Sequence, residues 1–198
     1  MPRLEVKGFA WLNLLRFVQE THGEAALAQL QAELPEYAAH FNQAAVLPIG
    51  WVPGAMHLEA MARVVARHYG GTSGGARTFG FALATRNVSS TFSSFSRLED
   101  LRVALMSTGR AFSTFYSQGQ MKLTLEGERL DAHLTGFPEA NALFGDVLGA
   151  GMLAFLHAGR VEGKLEHVTT TADSIRYAVT LHAVPQSLPT PTPFTRPD

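Results

Sequence analysis

The stretch Met121–Leu134 reads MKLTLEGERLDAHL, and its alternation of apolar and polar residues decides the fold class. Every second residue is apolar within MKLTL, and the same holds within LDAHL. A period of two predicts strands with one buried and one solvated face. Glu126–Glu128 supplies a glycine-containing turn between the two runs, so the stretch predicts an antiparallel β-hairpin.

A second hairpin is predicted nearer the C-terminus, with its turn at residues 172–174. The residues expected on one face are Leu165, His167 and Thr169 on the first strand and Ile175, Tyr177, Val179 and Leu181 on the second. Between the two hairpins a helix is expected from Pro138 to His157. It contains Gly145, Gly149 and Gly151, which let another backbone pack closely.

Upstream of the first hairpin, apolar residues follow the 3.6-residue period of helices. Helices are predicted over residues 4–21, 24–33, 53–69, 76–92 and 98–116, with a short helical piece through Tyr37 and Phe41. Pro48 and Pro53 disfavour helix in the residues that precede them, so Val46–Pro53 is expected to be extended. The run Gly70–Gly75 is expected to be a loop.

These patterns predict an α+β fold, with N-terminal helices and then two antiparallel β-hairpins that form a four-stranded sheet and are separated by a helix. Residues 1–184 are expected to form a single domain. Five of the 14 residues in 185–198 are proline, which predicts a Pro-rich disordered tail.

Composition excludes several classes of function. The 198 residues include no cysteine, which excludes disulfides, thiolate nucleophiles and Cys-ligated metals. The formal net charge of −1 comes without a basic stripe, so no nucleic-acid partner is expected. A signal peptide and an apolar run of about 18 residues are both missing, so we expect no membrane span and a cytoplasmic location. With 13 Phe and only 17% charged residues, part of the apolar surface is expected to be covered in a homodimer.

Candidate catalytic and metal-binding residues are few. His57 and His68 share a helix face, but their Cα atoms are expected about 16 Å apart, too far for one metal. Asp131 and His133 share a strand face, where the carboxylate could orient an imidazole for base catalysis; the alternative is an ordinary solvated face of the hairpin. The sequence therefore predicts no metal, no cofactor and no enzymatic activity, although a hydrolase using this pair stays open.

An apolar pocket is the remaining candidate site. Aromatic and methionine side chains at helical spacing either line a pocket between helices and sheet or fill the core. Arg110 and Tyr116 are the candidates for polar contacts near a helix end. The predicted ligand-binding residues are Trp51, Met56, Phe79, Arg110, Phe112 and Tyr116, with Met61 and Phe115 in the same stripe.

Four segments carry a resemblance to a known superfamily. They are VKGFAWLNLLRFV at 6–18, GEAAL at 23–27, LPIGWVP at 47–53 and GFP at 136–138. In these segments the chain resembles the superfamily of haem nitric-oxide-binding (H-NOX) domains, vinyl-reductase-type ligand-binding domains and TRAPP vesicle-tethering subunits. It looks closest to an uncharacterised myxobacterial-type family of about 200 residues, the size of an ordinary domain.

The chemistry of that superfamily does not carry over to this sequence. The H-NOX resemblance implies a haem-ligating His on the helix before the first hairpin, yet residues 98–116 contain no His. The Tyr-x-Ser-x-Arg motif of those domains is not matched at residues 116–120, and the cysteines of the other members are missing. The resemblance therefore implies a non-catalytic sensory or protein-interaction module, dimeric, with an apolar pocket for a small ligand. The alternative that it implies is a haem-based gas sensor.

Overall fold

The computed structural model describes residues 3–91, 105, 109–110, 112–158 and 161–182. The chain begins with a short strand, β1 (Glu5–Lys7), where the sequence predicts the start of a helix. β1 pairs antiparallel with β2 (Trp51–Pro53), whose extended backbone the flanking prolines favour. Because β2 offers backbone hydrogen-bonding groups to residues 5–7, these residues join a two-stranded sheet, and the helix starts at Gly8, four residues after the predicted start.

The N-terminal half is helical, as predicted. α1 spans Gly8–His22, α2 spans Glu24–Glu33, and 3₁₀ helices follow at Pro35–Phe41 and Gln43–Ala45. α3 covers Gly54–His68 and α4 covers Ser73–Thr91.

α4 starts inside the glycine run that the sequence predicts as a loop. The Thr72 hydroxyl oxygen accepts a hydrogen bond from the Gly75 N–H at 3.1 Å, and the Thr72 carbonyl accepts one from the Ala76 N–H at 2.8 Å. A threonine in this position caps a helix N-terminus and compensates for the poor helix propensity of the glycines.

The predicted helix over residues 98–116 lies for the most part outside the described residues, as does the predicted tail. Residues 105, 109–110 and 112–115 are helical, and an isolated bridge joins Tyr116 to Val6 of β1. The Ser117 N–H also donates to the Glu5 carbonyl at 3.0 Å. These bonds fix the end of the segment against the N-terminal strand.

The two predicted hairpins form one antiparallel sheet in the order β3-β4-β6-β5. β3 spans Gln120–Glu126, β4 spans Arg129–Thr135, β5 spans Glu162–Thr170 and β6 spans Ser174–His182. The predicted fold class is thereby confirmed.

One detail of the sheet corrects the sequence pattern. The register of β5 against β6 shifts between Leu165 and His167, so that Leu165 is buried whereas His167 and Thr169 are exposed. An extra residue in a strand reverses the faces of the residues after it. His167 and Thr169 therefore do not share the buried face of Leu165, contrary to the alternation predicted for this strand.

α5 (Ala142–Ala158) lies between the sheet and α4. It begins four residues after Pro138 because Asn141 caps it: the Asn141 Oδ1 accepts a hydrogen bond from the Phe144 N–H at 2.8 Å. A Cβ on Gly149 would come within 3.0 Å of the Leu165 and Tyr177 side chains. A glycine of α4 also lets the two helices approach closely, since a Cβ on Gly80 would lie 2.3 Å from the Val147 carbonyl oxygen of α5.

Within the described residues, no helix has the length and apolar character needed to cross a membrane.

Candidate functional site

A cavity of about 110 Å³ lies where the first, third, fourth and fifth helices meet residues 112–116 and strand β3. Its walls are largely aromatic rings and methionine thioethers. The lining side chains with these groups are Met61, Phe112, Phe115, Tyr116, Met121, Phe144, Met152 and Phe155. Among the described lining residues there is no Asp, Glu, Lys or Arg, so an ion inside the cavity would have no charged partner.

Among the described lining residues, His57 is one of two whose side chain has a buried polar atom without a hydrogen-bond partner. It lies on α3 one helical turn before Met61 and is 4% exposed. Its ring centroid is 6.3 Å from that of Trp11 and 6.3 Å from that of Tyr116. The Nδ1 atom is buried without a hydrogen-bond partner among the described residues. Burial lowers the pKa of His57 to about 4, so the imidazole is neutral at pH 7.

Asn87 carries the second unpaired polar atom. It lies on the face of α4 that also presents Gly80, Leu83 and Ala84 to the cavity. The Oδ1 atom is buried and, within the part of the chain that the structure describes, accepts no hydrogen bond. Gly80 and Ala84, which precede it on this face, also line the cavity, and the lack of a side chain at Gly80 lets α4 pack closely against α5.

Tyr116 closes the cavity on the side of the sheet. Its ring stacks on Phe112 with 4.9 Å between centroids and meets the Phe137 and Phe144 rings edge to face at 5.6 Å. Burial raises the pKa of the Tyr116 phenol, so the phenol stays protonated at neutral pH. Of these four rings, Phe112, Tyr116 and Phe144 line the cavity, and Phe137 packs against all three.

The structure brings together only some of the residues that the sequence singles out for a pocket. Phe112 and Tyr116 line the cavity. Met56 and Phe79 are fully buried in the core and do not line it. The sequence stripe also names Met61 and Phe115, and both do line it.

The two remaining predicted residues lie elsewhere. Trp51 is 42% exposed, and the Lys7 Nζ sits 3.7 Å above the centre of its ring. Arg110 is exposed in a separate groove against β3. Sequence reasoning does not name Asn87 as a pocket residue and treats His57 only as a possible metal ligand.

The other residues that the sequence offers for catalysis or metal binding interact with neighbouring side chains. The Asp131 carboxylate accepts hydrogen bonds of 3.0–3.2 Å from the Arg129 guanidinium, and the Nε2 of His133 lies 3.4 Å from the Arg176 Nε. His68, the second histidine of α3, stacks on His22 with 4.0 Å between ring centroids. No group of three or more potential metal ligands occurs among residues 3–91, 105, 109–110, 112–158 and 161–182.

Comparison with known proteins finds no matching family model and no matching curated protein. Solved structures do match. A single-substitution variant of Tt H-NOX aligns over 93% of this chain and 99% of its own, with a TM-score of 0.64 and 7% identity. The unliganded Fe(II) H-NOX protein from K. algicida covers 92% of this chain and 100% of its own, with a TM-score of 0.62 and 10% identity.

A third match is an oxygen-binding H-NOX domain related to soluble guanylate cyclases, in its oxygen complex. It aligns over 88% of this chain and 93% of its own, with a TM-score of 0.61 and 8% identity. The three alignments cover 88–93% of this chain and 93–100% of the neighbours, so the fold is shared over nearly the whole length of each. The chain has the H-NOX fold.

Proposed function

We propose that this chain is a sensory domain that binds one small, largely apolar molecule in the cavity between its helices and sheet. The observation that carries the proposal is the combination of an apolar cavity with two buried polar atoms, His57 Nδ1 and Asn87 Oδ1, that have no partner among the described residues. Buried polar atoms in folded proteins are nearly always hydrogen-bonded. A ligand in the cavity would satisfy them.

The fold supports a sensory role. The structural neighbours include an H-NOX domain described as oxygen-binding, and the chain shares their architecture. In this chain the cavity is lined both by helices (α1, α3, α4 and α5) and by the sheet, through strand β3. A molecule bound there would contact both the helices and the sheet. It would favour the relative arrangement of the two to which it binds more tightly.

The cavity as it stands does not fit haem. Pockets for cofactors and drug-sized molecules measure about 300–1,000 Å³, whereas this cavity measures about 110 Å³. The described lining side chains include no cation to pair with the two propionates of a haem. The predicted helix before the first hairpin also lacks a histidine.

Haem sensing is the second candidate: the likeness to H-NOX structures, one of them an unliganded Fe(II) protein, favours it, and one observation of this chain adds to that support. His57 presents a neutral imidazole with an unpaired nitrogen at the cavity, and neutral imidazole is the form that ligates haem iron. The decisive measurement is the absorption spectrum of purified protein before and after incubation with hemin. We expect no Soret band that survives gel filtration. A stable band that disappears in His57→Leu would establish the haem sensor and overturn the first proposal.

The first proposal is tested by calorimetric titration of the full chain with toluene, a compact apolar probe. We expect saturable one-to-one binding. Ala84 lines the cavity, so Ala84→Leu fills it and should abolish binding. The matched control is Ala28→Leu on the exposed face of α2, which should bind as the original chain does. Equal binding by Ala84→Leu would contradict the proposal, and so would an original chain that binds neither toluene nor phenol.

A protein partner, a homodimer, the absence of enzymatic activity and a cytoplasmic location remain predictions. The dimer is checked by light scattering during gel filtration, where a mass near twice 21.5 kDa is expected. A monomeric mass at all concentrations would contradict the predicted homodimer.

A further inference from the structure

The polar atoms of the cavity have a defined chemistry. A carboxamide oxygen can only accept hydrogen bonds, so Asn87 Oδ1, as oriented in the structure, needs a hydrogen-bond donor as its partner. His57 is neutral, and its Nδ1 accepts a hydrogen bond when the ring proton is on Nε2. A ligand that satisfies either atom in this way therefore carries an O–H or an N–H group.

The charge of the ligand follows from the lining. Among the described residues that line the cavity there is no Asp, Glu, Lys or Arg, and the one imidazole is neutral at pH 7. Moving an ion from water into such surroundings without a counter-charge is strongly unfavourable. The occupant is therefore a neutral molecule.

The size and shape of the ligand follow from the volume and the walls. An engineered apolar cavity of about 150 Å³ accepts benzene, and the cavity here measures about 110 Å³. The thioethers of Met61, Met121 and Met152 can adjust to a slightly larger guest, because methionine side chains are flexible. Aromatic walls favour an aromatic ring through stacking and edge-to-face contacts. One six-membered ring fills this space.

We infer that the cavity selects a compact, neutral, single-ring aromatic molecule that carries an O–H or N–H donor, the chemistry of a phenol, and that Asn87 Oδ1 accepts the hydrogen bond from that donor. This inference rests on the proposed function, since it names the class of ligand for the same cavity. It differs from a purely apolar cavity, which would exclude such molecules because their polar group would lose its hydrogen bonds to water.

The test compares phenol with toluene, which have nearly the same shape and differ in a hydroxyl for a methyl group. Each is titrated into the full chain by calorimetry at pH 7, with benzoate as a charged probe. An apolar cavity without a hydrogen-bond partner should favour toluene over phenol by roughly tenfold or more. We expect phenol to bind at least as tightly as toluene, and benzoate not to bind.

The role of Asn87 is tested with Asn87→Leu, which removes the acceptor at similar volume. Phenol affinity should fall about tenfold while toluene affinity is kept or improved. The matched control is Asn13→Leu on α1, since Asn13 also has a buried unpaired amide atom but does not line the cavity. If Asn87→Leu does not fold, Asn87→Ala is measured in its place.

The possible outcomes separate the two proposals. Toluene binding without phenol binding would overturn the inference and leave the proposed function intact. Water would then form the hydrogen bonds to His57 Nδ1 and Asn87 Oδ1. Phenol binding that Asn87→Leu leaves unchanged would also overturn the inference. If neither probe binds, the proposed function itself fails.

Discussion

Titration of His57 should make the stability of this domain depend on pH in a way that reports directly on the cavity wall. His57 is 4% exposed, and burial lowers its pKa from 6.5 to about 4. In the unfolded chain the imidazole titrates near the ordinary value. The folded state therefore binds the proton less readily than the unfolded state between these two values.

Proton binding to the folded and unfolded states sets the direction in which stability changes with pH. Stability rises with pH wherever the unfolded state binds more protons, so the contribution of His57 is fully present above pH 6.5 and is lost as the pH falls to about 4. The gap between the two pKa values corresponds to about 3 kcal/mol of unfolding free energy. A loss of this size is a large share of the stability of an ordinary domain.

The assay is urea denaturation followed by circular dichroism at several pH values between 7 and 4. Carboxylates and other histidines titrate over the same range, so the prediction concerns the difference between the original chain and His57→Met. The original chain should lose about 3 kcal/mol more than the variant between pH 7 and pH 4. Met61→Leu, a cavity-lining change without a titrating group, should keep the pH profile of the original chain.

Parallel pH profiles for the original chain and His57→Met would refute the reasoning. They would mean that the imidazole is solvated in the folded state, and hence that His57 is not buried in the apolar cavity wall described above.

Three further substitutions test the packing and capping of the helices that shape the cavity. Gly80→Ala should cost about 2 kcal/mol of unfolding free energy in urea denaturation, because its Cβ would lie 2.3 Å from the Val147 carbonyl oxygen and would push α4 and α5 apart. Gly151→Ala is the matched change at ordinary contact distance and should alter stability by less than about 1 kcal/mol; equal losses for the two variants would contradict the close approach at Gly80. Asn141→Ala should cost about 1 kcal/mol by removing the N-cap of α5, and an unchanged urea midpoint would show that the cap contributes nothing.

The sheet can be predicted from the sequence because its signal is local. Within MKLTLEGERLDAHL each strand shows its own period of two, and the turn lies between them. The short pairing of β1 with β2 cannot be predicted in this way. Its two strands have three residues each and are separated by more than forty positions, so neither carries a period of its own. The register shift in β5 breaks the alternation at only one step, because Leu165 is followed by an apolar residue at 168 and not at 167. In so short a strand, one such step cannot be told from a single polar residue on the buried face.

The cavity can be predicted only in part. Phe112 and Tyr116 are identified because an aromatic stripe points to an apolar site, but the same rule also selects Met56 and Phe79, which lie in the core. Periodicity gives the face of a helix on which a residue lies and not the element against which that face packs. Asn87 is missed for this reason, although its spacing from Gly80 and Ala84 on one helix face is a usable signal.

The central claim is that this H-NOX fold holds a ligand-sized apolar cavity at the meeting point of its helices and sheet. The most direct measurement is a crystal structure of the chain under xenon pressure, since xenon enters dry apolar cavities. We expect anomalous density for xenon beside Ala84 and Phe144, and none there in Ala84→Leu. Xenon found only elsewhere, or a site filled by the repacked side chains of Phe112 and Met152, would contradict the claim.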